Sequence, residues 1–179
     1  MEMQSTRVIA APPAAVWAAL NDPHALKACI PGCESFTRES DTQWRTVVAA
    51  KVGPVSARFT GTIALADVVA PTRYTLRFQG QGGAAGFANG EARVELSPAA
   101  GGQTSLAYTA SAQVGGKLAQ IGSRLIDGVA AKMAEEFFER FAARFAPAEA
   151  HPAQAAPHFP RWLLVVAVLT ILVTGWLLA

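Results

Sequence analysis

The sequence has too little of several things to support the commoner chemistries. It has two cysteines, Cys29 and Cys33, and three histidines, His24, His151 and His158. Two thiols are too few to hold an iron–sulfur cluster. A zinc site needs two more ligands beside the Cys29-Ile-Pro-Gly-Cys33 pair, and two of the histidines lie in a Pro-rich stretch far along the chain. No metal ligand set and no catalytic residue is assigned. His24 is the one histidine before residue 150, so no nucleophile, base and orienting group can be assembled from the first 145 residues. Charge is sparse too, at 16% Asp, Glu, Lys and Arg, with a net charge of +2 and no Lys/Arg cluster; this speaks against a nucleic-acid partner. The N-terminus lacks the basic, apolar, small-residue pattern of a secretory signal.

Apolar residues are plentiful, and the excess lies at the end. Residues 162–179 carry no charge, and only Thr170 and Thr174 have polar side chains. As a helix this segment spans about 27 Å, enough for a hydrocarbon core. Trp162 and Trp176 stand near its two ends, where interfacial tryptophans belong. The expectation is a tail anchor in the cytoplasmic membrane, with the preceding domain facing the cytoplasm and the lipid bilayer as one partner. Residues 146–161 are Ala/Pro-rich and read as a semi-extended linker.

Residues 1–145 form the domain. Apolar residues at Leu118, Ile121, Leu125, Val129, Met133, Phe137, Phe141 and Phe145 recur three or four apart. This spacing predicts one helix of about 30 residues over 115–145, stopped by Pro147. Earlier, two short helices are predicted, one from the Pro12-Pro13 pair to Leu20 and one over 23–29 with Asp22 as N-cap. From residue 34 the period becomes two. With a first strand over 3–10, this gives about seven strands joined by short connections, hence antiparallel neighbours. The fold class is α+β: a curved antiparallel sheet wrapped around a long C-terminal helix, a helix-grip arrangement.

On the predicted inward face, small residues abound: Ala57, Gly61, Gly80, Ala88, Gly90, Ala92, Ala110 and Ala112. Either the helix lies very close to the strands or a ligand fills the space, because empty volume costs about 24 cal/mol per Å³. Bulky Phe59, Tyr74, Leu76, Phe78, Leu106 and Tyr108 hold the walls apart, which favours a cavity. Its candidate lining is Phe59, Gly61, Tyr74, Leu76, Phe78, Ala92, Leu106, Tyr108 and Ala110 from the sheet, with Leu125, Val129, Met133 and Phe137 from the helix. Such a pocket suits an apolar ligand with one or two polar groups, which Tyr74 or Tyr108 could meet. The glycine-rich run 80–86 superficially resembles a dinucleotide fingerprint, but it is flanked by strands on both sides and reads as a sheet corner.

Five segments carry a resemblance. They are residues 18–24 (Ala-Ala-Leu-Asn-Asp-Pro-His), 27–34 (Lys-Ala-Cys-Ile-Pro-Gly-Cys-Glu), 50–55 (Ala-Lys-Val-Gly-Pro-Val), the run 80–88, and 113–128 from Gln113 to Gly128. In order and spacing they resemble the carbon monoxide dehydrogenase CoxG family of the START-like (SRPBCC) superfamily. The resemblance implies a non-catalytic accessory protein of a molybdenum-containing carbon monoxide dehydrogenase or related hydroxylase, one that recruits the enzyme to the membrane. It also implies a cavity for a lipophilic ligand, with a respiratory quinone (menaquinone or ubiquinone) as the natural candidate. Two alternatives stay open. One is a docking adaptor without ligand, meeting the enzyme through Lys117, Arg124, Lys132, Glu135, Glu136 and Glu139; the other is a START-like enzyme acting on aromatic substrates.

Overall fold

The computed structural model describes residues 1–146. The expected linker beyond Ala146 and the expected anchor at 162–179 lie outside the described residues; among the described residues no helix is long and apolar enough to cross a membrane. The elements run β1 (Glu2–Ile9), α1 (Pro13–Leu20), α2 (Pro23–Cys29), β2 (Cys33–Arg38), β3 (Gln43–Val52), β4 (Val55–Val69), β5 (Arg73–Gln81), β6 (Phe87–Ala99), β7 (Gln103–Gly115), α3 (Lys117–Gln120) and α4 (Ser123–Ala143). One antiparallel sheet takes all seven strands in the order β1-β7-β6-β5-β4-β3-β2. Every connection from β2 to β7 is a hairpin. The crossover between β1 and β2 carries α1 and α2 from one edge of the sheet to the other.

The local chemistry explains most of these boundaries. Pro13 opens α1 at a position where no N–H is needed. The Asp22 carboxylate accepts from the His24 N–H at 3.0 Å and caps α2. The run 80–86 becomes a corner, with a short 3-10 turn at Gly83–Ala85 between β5 and β6. At the start of β7, the fully buried Thr104 donates its hydroxyl to the Ala11 carbonyl at 2.6 Å, tying that strand to the entry of α1.

The C-terminal helix differs from expectation. It is not one rod of about 30 residues: β7 runs on to Gly115, α3 makes a single turn, and the chain breaks at Gly122. Gly122 sits at φ 94°, a conformation that residues with a Cβ rarely adopt, so the α-helical hydrogen-bond ladder does not continue through it. The break resets the helical phase. Leu125, expected on the inward stripe, is 49% exposed, and Ile126 turns inward in its place.

The two halves of α4 do different things. Phe137, Phe138, Phe141 and Phe145 pack against Ile9, Val16, Leu20, Cys29, Tyr74 and Leu106 in the main core. Phe141 is fully buried, stacked on Phe137 and edge-on to Phe145. Mid-helix, Glu135 pairs with Arg7 of β1, and the Arg7 guanidinium lies 5.8 Å from the Phe138 ring centre. Glu135 therefore belongs to the helix–sheet contact rather than to a free outer face. Glu136 is likewise within reach of Arg140, at 3.5 Å on the helix surface.

Two of the small inward residues have a different role from the one expected. A Cβ on Gly61 would stand 2.5 Å from the Gln79 carbonyl oxygen, and one on Gly90 2.1 Å from that of Ser111. These glycines allow neighbouring backbones to approach closely where the sheet curves, so they are not spare volume. At Gly80 a Cβ meets nothing nearer than 3.6 Å. Gly61→Ala should therefore lower stability by about 1–3 kcal/mol, whereas Gly80→Ala should change it by less than about 0.5 kcal/mol; urea unfolding of the two variants checks the contrast.

Candidate ligand-binding cavity

Antiparallel register sets the inward face as rungs across the sheet. One rung is Thr46, Gly61, Gly80, Ala88 and Val114; the next is Trp44, Ile63, Phe78, Gly90 and Ala112. A third holds Leu65, Leu76, Ala92 and Ala110, and a fourth Tyr74, Val94 and Tyr108. Of these rungs, the one nearest the β3–β4 hairpin carries the smallest side chains. The dense core forms at the α1/α2 end, and room remains at the other.

That room is a cavity of about 360 Å³ under the first half of α4. Its floor is built from Phe59, Gly61, Ile63, Phe78, Gly80, Ala88, Ala112 and Val114, with Thr46, Val48, Ala50 and Val52 from β3. Leu118 of α3 and Ile126, Val129, Ala130 and Met133 of α4 form the roof. The helix is held at its C-terminal half by the phenylalanine cluster and stands off the strands at its N-terminal half.

A second cavity of about 260 Å³ lies deeper. Leu76, Ala92, Leu106, Tyr74, Tyr108, Trp44, Phe137 and Phe138 are among its walls. Ile30 and Ile63 line both cavities, so the two adjoin. No Asp, Glu, Lys, Arg or His side chain lines either one. The larger alone falls within the roughly 300–1,000 Å³ of small-molecule sites.

The sequence-derived residues divide accordingly. Phe59, Gly61, Phe78, Val129 and Met133 line the larger cavity. Tyr74, Leu76, Ala92, Leu106, Tyr108 and Phe137 line the smaller. Leu125 lines neither, because of the Gly122 break, and it faces solvent. Ala110 also lines neither: along β7 it falls between Ala112 and Val114 of the larger cavity and Leu106 and Tyr108 of the smaller.

Sequence reasoning missed the β3 contribution. Trp44, Thr46, Val48, Ala50 and Val52 alternate with period two, a visible signal, yet without a partner strand it does not say which face turns inward. Ile30 and Ile126 gave no signal, since one follows a helix end and the other depends on the break.

Met1 lines the larger cavity, and its ammonium donates to the Ala112 carbonyl at 3.2 Å; the polar side chains near the cavities are few and neutral. Tyr74 makes an edge contact with Trp17, and burial pushes its phenol well above the usual tyrosine range. Tyr108 stacks on Phe138; burial raises its phenol too, with Arg7 opposing and Glu135 adding. Both stay protonated at physiological pH and can donate. Cys29 is buried, and burial pushes its thiol up against the opposing pull of Arg144 and Arg140. The Cys33 thiol donates to the Ser35 carbonyl at 3.3 Å.

The comparisons with known proteins agree on the fold. A conserved protein from Geobacillus kaustophilus is 32% identical, with a TM-score of 0.76 over 82% of this chain and 95% of that one. A START superfamily protein from Mycobacterium smegmatis has a TM-score of 0.60 at 17% identity, over 80% of this chain and 96% of that one. The Zhui aromatase/cyclase of a Streptomyces species superimposes with a TM-score of 0.61 at 12% identity, over 81% of this chain and 93% of that one. At such identities the last two show the START-like fold alone. No curated protein matches. The CoxG family of carbon monoxide dehydrogenase subunits matches residues 6–146, the whole described domain but for its first few residues. The chain belongs to the CoxG family.

Proposed function

We propose that this chain is a membrane-anchored accessory protein of a molybdenum-containing carbon monoxide dehydrogenase, and that it carries a lipophilic ligand, a respiratory quinone, for that enzyme. Family membership supports the accessory role. The observation that carries the ligand is the pair of adjoining cavities between α4 and the sheet, lined by no charged side chain, the larger of them under the raised half of α4. An isoprenoid tail loses about 0.8 kcal/mol per CH₂ exposed to water, so a carrier must enclose it. Bound quinone would supply the electron-accepting chemistry. The chain's own residues bind it, exclude water and present it. Residues 162–179 act as the anchor, and the linker keeps the domain at high effective concentration near both bilayer and enzyme.

The test is a reconstitution with quinone-containing vesicles, the dehydrogenase and either the full chain or a chain ending at Arg161. With the full chain the enzyme sediments with the vesicles and reduces quinone in the presence of carbon monoxide. The shortened chain should leave most of the enzyme in the supernatant and cut quinone reduction at least tenfold. Unchanged sedimentation and unchanged reduction would reject the anchor and the coupling.

A further inference from the structure

Charge is unevenly placed on the domain. The β3–β4 hairpin tip at Gly53-Pro54, the corner between β5 and β6, and the turn from β7 through α3 into α4 all lie at one end of the sheet, as the antiparallel register requires. The segments that build this end, residues 43–66, 74–90 and 96–126, contain no Asp or Glu. Lys51, Lys117 and Arg124 stand there, all exposed, and none has a carboxylate partner among the described residues. Arg45, Arg58 and Arg77, further along the strands, are instead paired with Glu39, Glu34 and Glu91. Asp127, the first acid on α4, follows Arg124 by a turn.

Large apolar side chains are exposed at the same end. Leu125, in the first turn of α4, is 49% exposed, and Phe87, opposite Gly115 at the start of β6, is 39% exposed. The larger cavity reaches this end as well: Val52 at the end of β3, Val114 near the end of β7 and Leu118 of α3 all line it. The hairpin tip and the α3–α4 turn meet here, the Ile121 side chain lying 3.7 Å from where a Cβ on Gly53 would stand. Exposed apolar residues among unpaired cations match the interface of an anionic bilayer, whose phosphates meet the cations while its acyl boundary takes the apolar side chains. A protein partner would have to bring both features together; the bilayer has both, and a lipophilic ligand resides in it.

We propose that this end of the domain is a docking surface for an anionic lipid bilayer, with Lys51, Lys117 and Arg124 at the phosphates and Leu125 and Phe87 in the acyl boundary, and that the ligand passes between bilayer and larger cavity beside α3. The docking gives the domain a lipid contact of its own, in addition to the expected anchor at 162–179. The passage of ligand rests on the carrier reading above; the docking does not.

The experiment reconstitutes the full chain in phosphatidylcholine vesicles with or without phosphatidylglycerol. Amide hydrogen exchange read by mass spectrometry reports contact, and quinone captured with the chain after brief detergent extraction reports uptake from the vesicles. With phosphatidylglycerol present, residues 51–55, 84–87 and 117–126 should exchange about fivefold more slowly than in phosphatidylcholine alone, and added salt should erase the difference. Lys117→Glu with Arg124→Glu should lose most of that protection and take up quinone about tenfold more slowly. Both side chains are exposed, so the fold is not at stake. Lys27→Glu with Arg73→Glu makes the same charge change outside this end and should behave as wild type. Equal exchange in the two kinds of vesicle would overturn the docking, as would equal loss in the two double variants, which would mean net charge alone. Protection that arises only when the dehydrogenase is added would assign the surface to that protein and overturn the proposal. Protection by anionic vesicles with no quinone captured would uphold the docking and overturn the passage, and with it the carrier reading.

Discussion

Ala88→Phe is expected to weaken quinone binding at least thirtyfold and, in the same protein, to raise the melting temperature. Ala88 lies on the floor of the larger cavity, between Gly80 and Val114 on the neighbouring strands. A ring there projects into space that the ligand needs. Overpacking a filled core costs about 1–3 kcal/mol, but this ring enters a void. Filling on the order of 80 Å³ at about 24 cal/mol per Å³ recovers about 2 kcal/mol. For a domain of this size that is a rise of roughly 5 °C. Opposite signs for binding and stability are the mark of a cavity kept open for use. Calorimetric titration and a thermal melt on the same preparation check both. A docking adaptor without ligand predicts the stability gain and no loss of carbon monoxide-dependent quinone reduction.

Phe141→Ala is expected to do the reverse of a cavity-filling change. Phe141 is fully buried in the cluster that clamps the second half of α4 to α1, α2 and the sheet, and it lines neither cavity. Its removal should cost about 3–5 kcal/mol. Against a total of about 5–15 kcal/mol for a typical domain, that is a third or more of the stability. The raised first half of α4 depends on this clamp, since Gly122 separates it from β7 and only α3 intervenes. Urea unfolding should show a lowered midpoint with the slope retained. A loss below about 1 kcal/mol would mean that α4 is held elsewhere.

Much of the fold was legible in the sequence, and what was not has identifiable physical causes. The seven strands follow from period-two runs punctuated by turns, as at Gly53-Pro54 between β3 and β4. The crowding of small residues at Gly80, Ala88 and Ala112 announced space beneath the helix. Gly61 and Gly90 looked the same in sequence, yet they answer to the approach of neighbouring backbones, which depends on sheet curvature. Leu125 kept a helical spacing with Ile121 that held only if the helix ran through Gly122. Arg7 shows another limit. It points to the helix side of β1 and pairs with Glu135 across 128 residues, a partnership no local pattern could reveal.

The central claim is that the space under α4 holds a lipophilic molecule. The most direct measurement is organic extraction of the full chain, purified in mild detergent from membranes, followed by mass spectrometry against an equal preparation of Ala88→Phe. The account predicts a quinone approaching one per chain in the wild type and little in the variant. Equal traces in both, together with no uptake of added quinone by the wild type, would contradict it.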